Sequence, residues 1–262
     1  MVAVVAEILE VAPRRVLAVY AHPDDPYVAS GGTIARWARA GAEIQIVVCT
    51  NGDKGAVNVD VDVDVDVGVD AVDAEGSSLR SPGALSGALA HQRIEEAVSA
   101  SEALGVGAPH FLGFPDGELD EAVLRREMVS WVRSVMPDVV LSHDPTAIFF
   151  GRDYFNHRDH RVVGWAVLDA VSPAAALPLY FPGSGPPWQV GTVYLSGTTE
   201  PDIWVDISAT VAAKVDALSC HVSQFADSGD WFRSGVRERA EETGRYVGLS
   251  AAESFRMLRL SA

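Results

Sequence analysis

The sequence predicts one α/β domain across residues 1–262, built as a Rossmann-like, mostly parallel sheet with helices on both faces. Three observations predict it. Short apolar runs rich in β-branched residues alternate with longer stretches of helical periodicity. The length of 262 residues suits a large domain of this class. A hydrophobic fraction of 48% is enough for a sizeable core.

Met1 to Glu7 is apolar, but it has no basic region and meets acids early, so it reads as a short strand or arm rather than a signal peptide. Arg15–Ala21 carries the buried-strand run Val16-Leu17-Ala18-Val19-Tyr20. Thr33–Ala40 is a predicted helix with Ile34, Trp37 and Ala38 on one face, and Gly41 can end it. Glu43–Cys49 is a strand, with Ile44, Ile46, Val47 and Val48 all β-branched. Ser86–Leu104 is a long helix with Ile94, Ala97, Val98, Ser101 and Leu104 at helical spacing. A short strand at His110–Leu112 precedes a helix over Asp120–Met136, stopped by Pro137. A strand at Val139–Ser142 leads to a helical stretch from Val162 to Val171. The Pro- and Gly-rich Phe181–Trp188 is a loop. Strands at Val193–Leu195 and Ile203–Ile207 follow, then a helix capped by Ser208 and running to about Phe225. A short final element lies near Leu258.

Between Gly55 and Leu79 stand seven acidic residues and no Lys or Arg. Within it, Val57 to Asp73 alternates Val and Asp. Alternation fits a half-buried strand or hairpin, but the dense like charge favours a solvent-exposed acidic insertion. A calcium loop starting at Asp60 fails, because position twelve is Ala71 instead of a bidentate Glu.

The net charge of −16 argues against nucleic acid and anionic membrane as partners. No apolar run is long enough for membrane insertion. Cys49 and Cys220 do not demand an oxidising compartment, so the expectation is a cytoplasmic protein. Its partner would be a small molecule; a homo-oligomer is compatible with the sequence.

Two clusters carry chemistry. Ala21-His22-Pro23-Asp24-Asp25 closes the first strand, and Asn156-His157-Arg158-Asp159-His160-Arg161 opens a helix. These are the positions where an α/β sheet places its ligands. Pro23 stiffens the first loop. Adjacent carboxylates repel, so a positive group is expected beside them. His157 and His160 are three apart and would share a face once the helix has begun, with Asp159 able to brace an imidazole. An Arg/His/Asp-rich helix start can also be a mere solvated end. Together the clusters offer three imidazoles and three carboxylates, enough for a metal with an open position plus a separate base and acid.

The runs His22-Pro23-Asp24-Asp25, Thr50-Asn51-Gly52-Asp53-Lys54-Gly55, Phe111-Leu112-Gly113-Phe114-Pro115-Asp116-Gly117 and His157-x-Asp159-His160-Arg161 resemble the LmbE/PIG-L family of zinc-dependent N-deacetylases. Val205-Asp206-Ile207-Ser208 and Leu218-x-x-His221-x-Ser223-Gln224 add to the likeness, which covers roughly Arg15 to Leu258. The resemblance implies zinc on His22, Asp25 and His160. It implies Asp24 as general base, His157 as oxyanion stabiliser or amine acid, and Asp159 as the partner that orients His157. It implies that Arg93 and Asp116 contact sugar hydroxyls, on an N-acyl amino sugar or its conjugate. Pro26 stands where the family usually has Glu.

Two other readings compete. Two His and one carboxylate also describe a mononuclear non-haem iron oxygenase, though usually on an all-β fold. A non-catalytic sugar- or nucleotide-binding module needs no Asp24 beside a ligand set, and the Gly-x-Gly-x-x-Gly of nucleotide binders is missing after the first strand. Of the remaining candidates, His143 suits a supporting or turn role more than lining the site. Tyr154 suits packing as well as oxyanion donation, and His221 stays open. His91 and His110 read as structural or exposed.

Overall fold

Strand β2, after a two-residue strand β1 (Glu7–Ile8), spans Arg15–Tyr20 and is covered on both sides. Val16, Ala18 and Tyr20 face one apolar layer, and Leu17 and Val19 face the other, all 0% exposed. A strand so placed must be apolar at every position, as this one is from Val16 onward. The computed structural model describes residues 7–55, 82–225 and 229–260. The Val57–Asp73 tract lies outside them.

The elements continue with α1 (Asp25–Arg39), β3 (Glu43–Thr50), α2 (Pro82–Leu104), β4 (His110–Phe114), α3 (Glu121–Val135) and β5 (Val139–His143). A hairpin of β6 (Phe149–Phe150) and β7 (Tyr154–Phe155) leads to α4 (Arg158–Asp169), which runs on as a π-helical segment over Ala170–Ala175. Then come β8 (Thr192–Ser196), β9 (Ile203–Asp206), α5 (Val211–Ser219), α6 (Val222–Phe225), α7 (Gly229–Arg245) and β10 (Ala252–Arg259). The sheet order is β1-β9-β10-β8-β5-β2-β3-β4. Every neighbouring pair is parallel except those made by β10, which is antiparallel to β8 and β9. Helices α1, α2, α5 and α7 supply the layer around Tyr20, and α3, α4 and the π-helical segment supply the layer around Leu17. The expected fold class is the one observed.

The chain leaves β2 toward β3 and β4 on one side and returns to β5 on the other. That reversal opens a crevice at the carboxyl ends of β2 and β5, where open α/β sheets hold their ligands.

The expected elements differ most from the observed ones in three places. Helix α1 begins eight residues before Thr33, with Asp24 as N-cap and Pro26 in its first turn, where a missing N–H costs nothing. It is kinked at Ser30 (φ −144°). The two carboxylate oxygens of Glu253, on β10, accept from Gly32 N (3.0 Å) and Thr33 N (2.8 Å), so a distant residue caps the second half of the helix. A Cβ on Gly32 would meet the Ile207 side chain at 2.7 Å, which explains the glycine. The expected single helix from Ser208 to Phe225 is two, with Thr210 as N-cap and a break at His221. The Ser208 hydroxyl instead donates to Asp206 Oδ1 at 2.6 Å. The final element is a full eight-residue strand.

Candidate metal centre and active site

The end of β2 and the start of α4 meet at one point. Asp25, the first residue of α1, turns its carboxylate back over the strand end, where Oδ2 accepts from His22 N at 2.7 Å. His22 Nδ1 stands 3.2 Å from Asp25 Oδ2 and 3.2 Å from His160 Nε2, and His160 Nε2 stands 3.2 Å from Asp25 Oδ1. Ligands about 2.0–2.1 Å from a tetrahedral zinc would be about 3.3 Å apart; the two histidine nitrogens and the Asp25 carboxylate, which meets them through different oxygens, stand at about that spacing.

The other nitrogen of each ring is held. His22 Nε2 lies 3.1 Å from Asp116 Oδ1, and His160 Nδ1 lies 3.1 Å from Asn156 Oδ1. Asn156 is itself fixed by donating to Ala147 O at 2.8 Å. Each partner can accept a ring N–H, so the nitrogens facing Asp25 are the ones a metal would use once any proton there is displaced. His143, from the end of β5, stacks on His160 with centroids 4.1 Å apart and planes 6° apart. Its Nε2 lies 3.3 Å from Asp25 Oδ2 and accepts from Ala21 N at 3.2 Å.

The electrostatics follow from this crowding. Burial opposes charge on His22, but Asp25 and then Asp116 outweigh it and raise its pKa to about 10. Burial likewise opposes charge on Asp25, yet His160, His22 and His143 hold its carboxyl well below the usual range. Burial, followed by the charge of His160, takes His143 down to about 4. Without a metal, a proton on His22 balances Asp25; a divalent cation does the same with more charge. The donor set therefore fits a small divalent ion.

The remaining expected residues surround this triangle. Asp24 makes no capping bond with its side chain; its Oδ1 accepts from Arg93 Nη2 at 2.7 Å. Arg93, 3% exposed, is the positive group expected beside the paired carboxylates. Its Nη1 donates to Gly52 O at 2.9 Å, and a Cβ on Gly52 (φ +64°) would run into the guanidinium. His157 is the N-cap of α4, so it precedes the helix instead of sharing a helical face with His160. Its Nδ1 accepts from the backbone N–H of Asp159 at 3.2 Å, and burial and then His22 lower its pKa. One ring nitrogen each of His22, His157 and His160 lies within 4.8 Å of the others.

Asp159 thus meets His157 through its backbone N–H. Its carboxylate, 0% exposed, accepts from Gly117 N at 2.6 Å and lies 3.9 Å from His22 Nε2. Asp116 was expected at sugar hydroxyls; in the structure one of its oxygens is spent on His22. Asn156 received no role from the sequence, although its place four residues before His160 was a usable signal. His221 is fully buried against Tyr27, with ring centroids 5.0 Å apart. His91 and His110 are exposed. Among the described residues no helix is long and apolar enough to cross a membrane.

Comparison with known proteins agrees with this geometry. Residues 17–171 match the family PIG-L, described as GlcNAc-PI de-N-acetylase. The chain is 29% identical to 1D-myo-inositol 2-acetamido-2-deoxy-alpha-D-glucopyranoside deacetylase of Rhodococcus erythropolis, over 80% of this chain and 81% of that one. It is 30% identical to diacetylchitobiose deacetylase of Thermococcus kodakarensis, over 94% and 83%. The structure of N,N'-diacetylchitobiose deacetylase from Pyrococcus horikoshii superposes with a TM-score of 0.76 at 26% identity, covering 94% of this chain and 84% of that chain. A fold-wide match together with a family match across more than half the chain leaves one assignment: this chain belongs to the PIG-L family of N-deacetylases, metal-dependent hydrolases of the C–N bond.

Proposed function

We propose that this protein removes an N-acetyl group from an amino sugar or amino-sugar conjugate, with zinc held by His22, Asp25 and His160. The observation that carries the reading is Asp24. It is a carboxylate next to the ligand triangle, outside it, and held by Arg93. A structural or purely binding site has no use for such a group; amide hydrolysis needs a base.

Zinc held by His22, Asp25 and His160 would supply a Lewis acid able to polarise the amide carbonyl and acidify a bound water. Asp24 takes the proton of the attacking water, its Oδ1 positioned by the bond from Arg93 Nη2. His157, with Nδ1 occupied by the Asp159 N–H, carries its own proton on Nε2 when neutral. That N–H donates to the developing oxyanion. The proton on Asp24 then serves the departing amine, which leaves poorly as an anion. The Arg93 guanidinium reaches Asp24 Oδ1 through Nη2, and Asp116 has a second oxygen. We assign these two groups to vicinal sugar hydroxyls, one as donor and one as acceptor.

The test is release of primary amine from N-acetylglucosamine and its glycosides by zinc-restored protein, with and without chelator. Chelator-sensitive release is the expected result. No release from any N-acetyl amino sugar, or oxygen consumption dependent on iron, would overturn the reading.

A further inference from the structure

A cavity of about 840 Å³ opens beside Asp25, Asn156, His143 and His160 and runs away from them to α7. Asp24, Arg93, Asp116 and His157 do not line it. The polar groups proposed for sugar hydroxyls are therefore no part of this cavity's wall. Its apolar lining comes from Val28 on α1, Tyr154 on β7, Leu218 on α5, and Trp231, Phe232 and Val236 on α7. Val28, Tyr154 and Trp231 are 48%, 52% and 69% exposed, so apolar surface at the mouth is uncovered among the described residues.

The polar groups in the same wall are mostly spent. Lys214 and Glu253 pair with each other at 2.5 Å. Lys214 also donates to Val28 O, and Glu253 accepts from Gly32 and Thr33. The Ser196 hydroxyl donates to Ser142 O, the Thr243 hydroxyl donates to Arg239 O, and Thr198 Oγ1 accepts from Glu200 N. Asn156 is used at both ends. That leaves Arg239, Ser254, the Tyr154 and Thr198 hydroxyl protons and the Trp231 indole N–H, few acceptors for a polyol. Leaving a polyol's hydroxyls unpaired costs binding, whereas an apolar group gains from the same wall.

We propose that this cavity takes an apolar, aromatic or alkyl aglycone on the anomeric carbon of the amino sugar, so that the substrate is an apolar glycoside of N-acetylglucosamine in place of a polyol or sugar conjugate. The inference rests on the N-deacetylase reading. In a 2-acetamido sugar, C1 and C3 flank the carbon that bears the amide. If the ring hydroxyls from C3 onward are held by Arg93 and Asp116, which lie outside the cavity wall, the C1 substituent is the part of the glycoside assigned to the cavity.

Four probes test it: N-acetylglucosamine, its phenyl and octyl β-glycosides, and N-octanoylglucosamine. The phenyl and octyl glycosides should show kcat/KM about tenfold or more above the free sugar, chiefly through KM, because the aglycone binds equally in ground and transition states. In Val28→Asn and Trp231→Ala, both at exposed positions that the fold does not need, the ratio of glycoside to free-sugar kcat/KM should fall severalfold. Equal kcat/KM for glycosides and free sugar, or a gain found only with N-octanoylglucosamine, would overturn the proposal. Calorimetric binding of the deacetylated products, phenyl glucosaminide against glucosamine, needs no turnover. Tighter binding of the phenyl compound that weakens in Trp231→Ala supports the cavity assignment even if the deacetylase reading fails. Equal binding refutes the assignment even if that reading stands.

Discussion

His22 is fixed from both sides, and that decides what it can do. Its Nε2 meets Asp116 and its Nδ1 meets Asp25 and His160. Losing the outer carboxylate should loosen the ring without removing a ligand: Asp116→Asn should weaken zinc affinity by about 10–100-fold, measured by competition with a chromogenic chelator. An unchanged affinity would return Asp116 to a purely substrate-facing role. The raised pKa of His22, about 10, adds a pH dependence. The metal-free ring keeps its second proton until pH rises through that value, and a metal on Nδ1 must displace it. Metal uptake between about pH 7 and 9 should therefore release about one proton and tighten as pH rises. Calorimetry in two buffers of different ionisation enthalpy would read this; uptake without proton release would contradict it. At this scale the sequence was legible for the residues themselves. Their partners were not, because Asp116 lies 94 positions from His22 and only folding brings them together.

Helix α1 shows what local pattern hides. The sequence reading starts this helix at Thr33, yet it starts at Asp25 and takes in Pro26, Gly31 and Gly32. The first-turn proline is harmless, and the kink at Ser30 is covered by a carboxylate from β10. Glu253 therefore holds the element that carries Asp24 and Asp25, and it is paired with the buried Lys214. Removing one partner leaves a buried charge, so Glu253→Ala should cost about 3–5 kcal/mol of stability. Lys214→Met with Glu253→Gln should cost less, since no net charge remains buried. Urea denaturation of the two variants checks this; a larger loss in the double variant would show that the pair stabilises the fold by itself. Helix α7 was not assigned from sequence for a related reason: its apolar stripe, Phe232, Val236 and Ala240, is thin and set among charges.

At the level of the whole molecule, the fold class was legible because β2, β3 and β5 are apolar on both faces, a pattern that only a sheet with helices on both sides requires. The antiparallel strand β10 was less so: Glu253, Ser254 and Arg256 interrupt it, and its pairing with β8 and β9 joins segments about 60 and 50 residues earlier in the chain. The two layers fix β2 and β5, and their ends fix the crevice. The account as a whole stands on one claim, that metal binding and proton transfer reside on different side chains there. Zinc content and amine release should be measured together on the wild type, His160→Ala and Asp24→Asn. The wild type should carry one zinc and release amine from N-acetylglucosamine or its glycosides. His160→Ala should lose both metal and turnover. Asp24→Asn should keep the metal while kcat falls by about 10²-fold or more. Stoichiometric zinc in His160→Ala, or near-normal kcat in Asp24→Asn, would contradict the account.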